Sequence, residues 1–102
     1  MHVRRPPVTG RKVRFALVGC GRIAANHFES VRVHAERCEL VDVCDVEPGA
    51  LATAVERTGA RGHRDLTTLL AKTDADCVIL TTPSGLHPVQ AIEVARSGRD
   101  VM

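Results

Sequence analysis

Short apolar runs alternate along this chain with stretches in which apolar residues recur every three or four positions. The first run, Val13 to Val18, reads as a strand. It is followed by a helical pattern from about Arg22 to Ala35, with Ile23, His27, Phe28 and Val31 near one face. Leu40 to Cys44 is a second strand. Pro48 suits the first turn of a second helix, where its missing N–H would be unpaired anyway. That helix carries Leu51, Ala54 and Val55 and stops before Gly59. An extended piece is expected over 60–63, and Asp65 is an N-cap for a short helix through Leu66, Leu69 and Leu70. Cys77 to Thr82 is apolar almost throughout, the pattern of a strand buried on both faces of a parallel sheet. Pro88 begins a last helix with Val89, Ile92, Val94 and Ala95 as its apolar positions, and Gly98 ends it. Asp100-Val101-Met102 starts a fifth strand. The alternation predicts an α/β fold, a doubly wound parallel sheet whose strand order reverses beside the first strand.

Where the first strand meets the first helix, the chain reads Gly19-Cys20-Gly21-Arg22-Ile23-Ala24. Each small residue has a mechanical reason in a Rossmann-type dinucleotide site. Gly19 permits the tight turn out of the strand, Gly21 lets a pyrophosphate approach the backbone, and Ala24 lets the helix lie close on the sheet. The unpaired N–H groups of the helix's first turn then face the phosphates. Asp45 follows the second strand, 26 residues after Gly19, where its carboxylate would accept hydrogen bonds from the adenosine ribose. A bare Gly-x-Gly is a weak signal; strand, turn, helix, strand and acid in this order are a strong one.

Composition narrows the range of functions. With 44% hydrophobic and 25% charged residues, 102 residues make one globular domain at most. Two Phe, with no Trp or Tyr, argue against base stacking on nucleic acid. The net charge of +2 hides an asymmetry. Residues 1–14 hold five basic side chains and no acid, leaving nine basic against twelve acidic residues beyond. Residues 1–11 are expected to be a solvated basic leader, and 12–102 the dinucleotide-binding domain. No apolar segment follows the basic residues as in a secretory signal, and no run is long enough to span a bilayer, so a cytoplasmic location is expected. The four cysteines show no C-x-x-C spacing. Cys44 and Cys77 read as small buried side chains, while the backbone of Cys20 matters more than its thiol. No metal site is expected. His27 and His34 stand seven apart, and His63 near Asp65 has no constellation around it. A Ser84–His87–acid triad lacks the nucleophile elbow it would need.

A second motif, Thr81-Thr82-Pro83-Ser84-Gly85-Leu86-His87-Pro88, follows the fourth strand. On spacing alone, Ser84 or His87 could do no more than cap the next helix, with His87 at the N-cap. Yet residues just past the carboxyl ends of parallel strands also face the ligand crevice. Taken with the Gly-rich turn and Asp45, the segment Thr82-Pro83-Ser84-Gly85-Leu86-His87 resembles the N-terminal domain of the Gfo/Idh/MocA oxidoreductases over about residues 12–102. Within that family, Phe15 to Ala24 and Asn26-His27-Phe28 are most similar to the UDP-N-acetylglucosaminuronate 3-dehydrogenases of bacterial polysaccharide synthesis.

The resemblance implies that Arg22 and Ile23 present backbone N–H groups to the pyrophosphate of NAD. It implies that Thr81, Thr82, Pro83 and Ser84 line the path to the nicotinamide ribose, with His87 nearby. The Asp45 carboxylate, followed by Val46 and not by a cation, would repel a 2′-phosphate and favour NAD over NADP. The family's chemistry is hydride transfer from a hydroxyl-bearing sugar-ring carbon to NAD. Its Glu-Lys-Pro motif and larger substrate domain have no counterpart in these 102 residues. The chain is therefore expected to be a truncated sheet that is inactive alone, takes a nucleotide sugar only in a full-length parent, and is prone to self-association through a bare strand edge. A non-catalytic dinucleotide-sensing module, or an inactive truncated product, shares the same Gly-rich turn and acid.

Overall fold

A computed structural model describes residues 10–21, 24–82 and 84–101. The elements are β1 (Val13–Val18), α1 (Ala24–Val33), β2 (Cys38–Cys44), α2 (Pro48–Thr58), β3 (Arg61–His63), α3 (Leu66–Lys72), β4 (Cys77–Leu80), α4 (His87–Arg96) and β5 (Asp100–Val101), with a 3-10 turn (Ser84–Leu86) leading into α4. All strand pairings are parallel, and the order is β3-β2-β1-β4-β5. The order reverses beside β1, as the alternation predicts. Helices α1 and α2 cover one face over Leu17, Phe28, Val43 and Ile79. The other face packs α3 and α4 over Ala16, Val18, Leu69, Val78 and Val94. Strands β1 and β4 therefore bury both faces, which accounts for their unbroken apolar runs.

Local chemistry sets the helix ends. The Glu47 carboxylate accepts from the Gly49 and Ala50 N–H groups at the start of α2, Pro48 occupies its first turn, and Gly59 closes it in the left-handed region at φ 72°. Asp65 caps α3 by accepting from the Thr68 N–H at 2.7 Å, as expected. Strand β2 begins at Cys38, two residues earlier than the apolar run, because Val13 pairs with Cys38. The expected leader overlaps the described residues at Gly10 and Arg11. There Arg11 grips the Asp76 carboxylate with two bonds of 2.7 and 2.8 Å.

Two readings need correction. In α4, Val89 and Ile92 point outward, 70% and 54% exposed, while Ala91 and Val94 face the core. At 3.6 residues per turn both lie roughly 150° around the helix from Val94. His63 does have a constellation. Its Nε2 pairs at 2.7 Å with Asp42, a wholly buried acid in the middle of β2. Among the described residues, no helix is long and apolar enough to cross a membrane.

Candidate functional site

The carboxyl ends of β1, β2 and β4 converge on the Gly-rich turn. Gly19 has φ +91°, and its N–H donates to the Cys44 carbonyl at 2.8 Å. A Cβ there would lie 2.9 Å from the backbone of both Thr81 and Thr82. The turn is pressed against the exit of β4, and only glycine fits. Gly21 presents the opposite case. It is exposed, and a Cβ would meet nothing within 4 Å. The fold does not require glycine at this position, whereas a ligand lying on the turn would. Ala24 is fully buried where α1 leaves the sheet, the close packing its size allows. Arg22 and Ile23 lie outside the described residues.

Asp45, half-buried, stands one residue past β2 and is tied down on three sides. Its Oδ2 accepts the Cys20 N–H at 2.8 Å, and its Oδ1 accepts the Glu47 N–H at 2.9 Å. Its own N–H donates to the His63 carbonyl at 3.2 Å. Each carboxylate oxygen has a second lone-pair direction, so the group can hold the turn and still accept from ribose hydroxyls. Motif reasoning assigned the ribose role alone and did not foresee that the carboxylate holds the turn. The Cys20 thiol donates to the Cys44 carbonyl, and burial, aided by the Asp45 charge, pushes it up to about 11. It remains a protonated thiol, and its backbone is the part that matters.

The segment after β4 is more inward-looking than its motif suggests. The Thr81 N–H and Oγ1 both donate to the Val18 carbonyl, at 2.8 and 3.0 Å, and Oγ1 also reaches the Gly19 carbonyl. The side chain closes the joint between β1 and β4. The Thr82 hydroxyl meets the Gln90 side chain. His87 is not the N-cap: Leu86 holds that position, because the 3-10 turn runs directly into α4. The His87 ring instead folds back, and its Nε2 pairs with the Thr82 carbonyl. Ser84 contributes its backbone to the 3-10 turn. Pro83 lies outside the described residues.

A cavity of about 430 Å³ opens over these strand ends. Gly19, Gly21, Asp45, Thr81 and Thr82 line it, so five of the predicted residues meet there; His87 is not part of its wall. The strand-end residues Val18, Cys44 and Val46 also line it, as do Asp65, Leu66, Leu86 and Gln90, which were not among the predicted site residues. Their signal lay in position, near the ends of β3 and β4, but Asp65 and Leu66 read only as the start of a short helix and Leu86 only as part of the turn before α4. The described wall carries two carboxylates and no cation. An open-faced glycine, a carboxylate with free lone pairs and apolar walls suit a dinucleotide with uncharged ribose hydroxyls.

Comparison with known proteins agrees with this geometry. The sequence model of the Gfo/Idh/MocA oxidoreductases, an NAD-binding Rossmann fold, matches residues 13–102. Among solved structures, the WlbA dehydrogenase of Chromobacterium violaceum, in complex with NADH and UDP-GlcNAcA, superposes with a TM-score of 0.95 at 66% identity over 98% of this chain and 29% of that one. The WlbA dehydrogenase of Bordetella pertussis, with the same two ligands, gives 0.92 at 55% identity over 93% of this chain and 28% of that one. Among curated sequences, the inositol 2-dehydrogenase of Rhizobium meliloti is 34% identical over 87% of this chain and 26% of its own length. The chain thus spans under a third of the relatives it matches.

Proposed function

The chain belongs to the Gfo/Idh/MocA family of NAD-binding oxidoreductases, and from that premise we propose that it is the cofactor-binding part of an enzyme oxidising a nucleotide sugar. The reaction is hydride transfer from a hydroxyl-bearing ring carbon, C3 of a UDP-sugar uronate, to NAD. The observation that carries this reading is the cavity in which the open face of Gly21 meets the Asp45 carboxylate. The substrate class rests on the likeness to the two WlbA dehydrogenases.

In this reading Gly19 shapes the turn, and Gly21, with the backbone N–H groups of Arg22 and Ile23, receives the pyrophosphate. Asp45 accepts from the adenosine ribose while holding the Cys20 and Glu47 amides. Thr81 and Thr82 fix the β4 exit, which with Pro83 and Ser84 leads toward the nicotinamide ribose. His87 supports that loop through the Thr82 carbonyl. Bound NAD supplies the hydride acceptor. Asp45 and Asp65 both face the cavity, so a 2′-phosphate would meet two negative charges, and NAD is preferred over NADP.

This chain matches under a third of the length of those relatives, and the proposal extends to these 102 residues binding cofactor without turning over sugar by themselves. NADH formation from UDP-GlcNAcA above background would overturn that. A cytoplasmic setting, no nucleic-acid or membrane partner, and self-association through the open sheet edges at β3 and β5 belong to the same reading. Calorimetric titration with NAD and NADP in parallel tests the cofactor assignment: saturable, tighter NAD binding supports it, and tighter NADP binding contradicts it.

A further inference from the structure

Resting on the reading of Asp45 as the ribose acceptor, we infer that the buried Asp42–His63 pair positions that carboxylate. It does so by locking the edge strand β3 against β2. Asp42 is fully buried and collects three hydrogen bonds and a further ion-pair contact. Oδ1 takes the His63 Nε2 at 2.7 Å and the Arg61 Nε at 3.0 Å. Oδ2 takes the Thr73 hydroxyl at 2.6 Å and the Arg61 Nη2 at 3.1 Å. Burial alone would raise the Asp42 pKa, but the bonds from Thr73, His63 and Arg61 outweigh it and hold the group below its ordinary value.

A three-residue strand at a sheet edge has little backbone pairing of its own, so this network is what fixes it. His63 connects the network to the site. Its ring is tied to Asp42, and its carbonyl accepts the Asp45 N–H. From Asp45 the chain of bonds continues through Oδ2 to the Cys20 N–H inside the Gly-rich turn. One line of contacts thus runs from Asp42 through His63 and Asp45 to the phosphate turn, crossing β2, β3 and the end of β1. His63 is a positioning residue in this scheme, since it acts on cofactor only through Asp45.

The test is a double-mutant cycle on the whole chain, with NAD as the probe and protein-observed NMR titration, which reaches weak affinities, as the readout. His63→Leu is expected to weaken NAD binding about three- to tenfold in the wild-type background and to change nothing in the Asp45→Ala background. His63→Gln, whose amide can reach Asp42 as the imidazole does, is expected to restore the affinity. Equal loss in both backgrounds, or no loss in either, would overturn the inference. Should His63→Leu fail to fold, the same cycle is run with Arg61→Met, at the exposed end of the network. A loss confined to the wild-type background supports the inference, and an uncoupled or absent loss overturns it. A wild-type chain that binds no NAD would remove the functional reading and this one with it; wild-type binding with an uncoupled effect removes this one alone.

Discussion

Replacing Asp45 with Ala separates the two jobs its carboxylate performs. The fold loses two bonds, from the Cys20 N–H at 2.8 Å and the Glu47 N–H at 2.9 Å. Both donors can then be met by water, because Asp45 is only half-buried, so the loss is about 1–2 kcal/mol and not the full cost of two stranded amides. For a domain of this size each kcal/mol corresponds to roughly 4–8 °C in Tm. Cofactor binding loses the ribose hydrogen bonds, about 1–3 kcal/mol, and also a turn held in place. The expected result is a Tm lower by roughly 5–15 °C and NAD binding weaker by about 10- to 100-fold. Asp45→Asn should recover little, because its single acceptor oxygen cannot serve both backbone amides. Thermal unfolding by circular dichroism and calorimetric titration read the two effects separately. A lower Tm with unchanged NAD affinity would leave Asp45 a structural role only and refute its place on the ribose. Unchanged values of both would refute the geometry itself.

The two glycines of the turn should behave oppositely. Gly19→Ala places a Cβ 2.9 Å from the backbone of Thr81 and Thr82 at positive φ, and should cost about 2 kcal/mol or more in denaturant unfolding. At Gly21 an added Cβ meets nothing within 4 Å, so in Gly21→Ala stability should hold within about 0.5 kcal/mol while NAD affinity falls more than about tenfold. Loss of stability without loss of binding at Gly21 would show that the open space is not the pyrophosphate site. Asp42 gives a pH signature. Its folded pKa lies below the ordinary 3.8, so its stabilisation is present above that value and is lost as pH falls through the lower, folded one. Acid unfolding followed below about pH 4 should therefore be less steep in Asp42→Asn than in wild type; parallel curves would contradict the assignment.

Much of the fold was legible because its signals are local. The apolar run in β4, Pro48 and Gly59 around α2, and Asp65 before α3 each declare an element within a few residues. The Gly19, Gly21 and Asp45 constellation was legible for the same reason: one turn and one strand end carry it. What escaped depends on partners far apart in the chain. Asp42 looks like a stray acid in an apolar strand until β3 and the end of α3, 19 to 31 residues away, supply Arg61, His63 and Thr73. Thr81 sits in a motif expected to face the ligand, but its hydroxyl turns to a carbonyl 63 positions earlier. Val89 and Ile92 satisfied an apolar count without sharing the face of Val94.

Titration of the 102-residue chain with NAD and NADP, after circular dichroism has shown it folded, tests the central claim most directly. The account predicts saturable NAD binding that weakens in Asp45→Ala, with NADP binding weaker still. A folded chain that binds neither, or that prefers NADP, would contradict the cofactor site described for these residues.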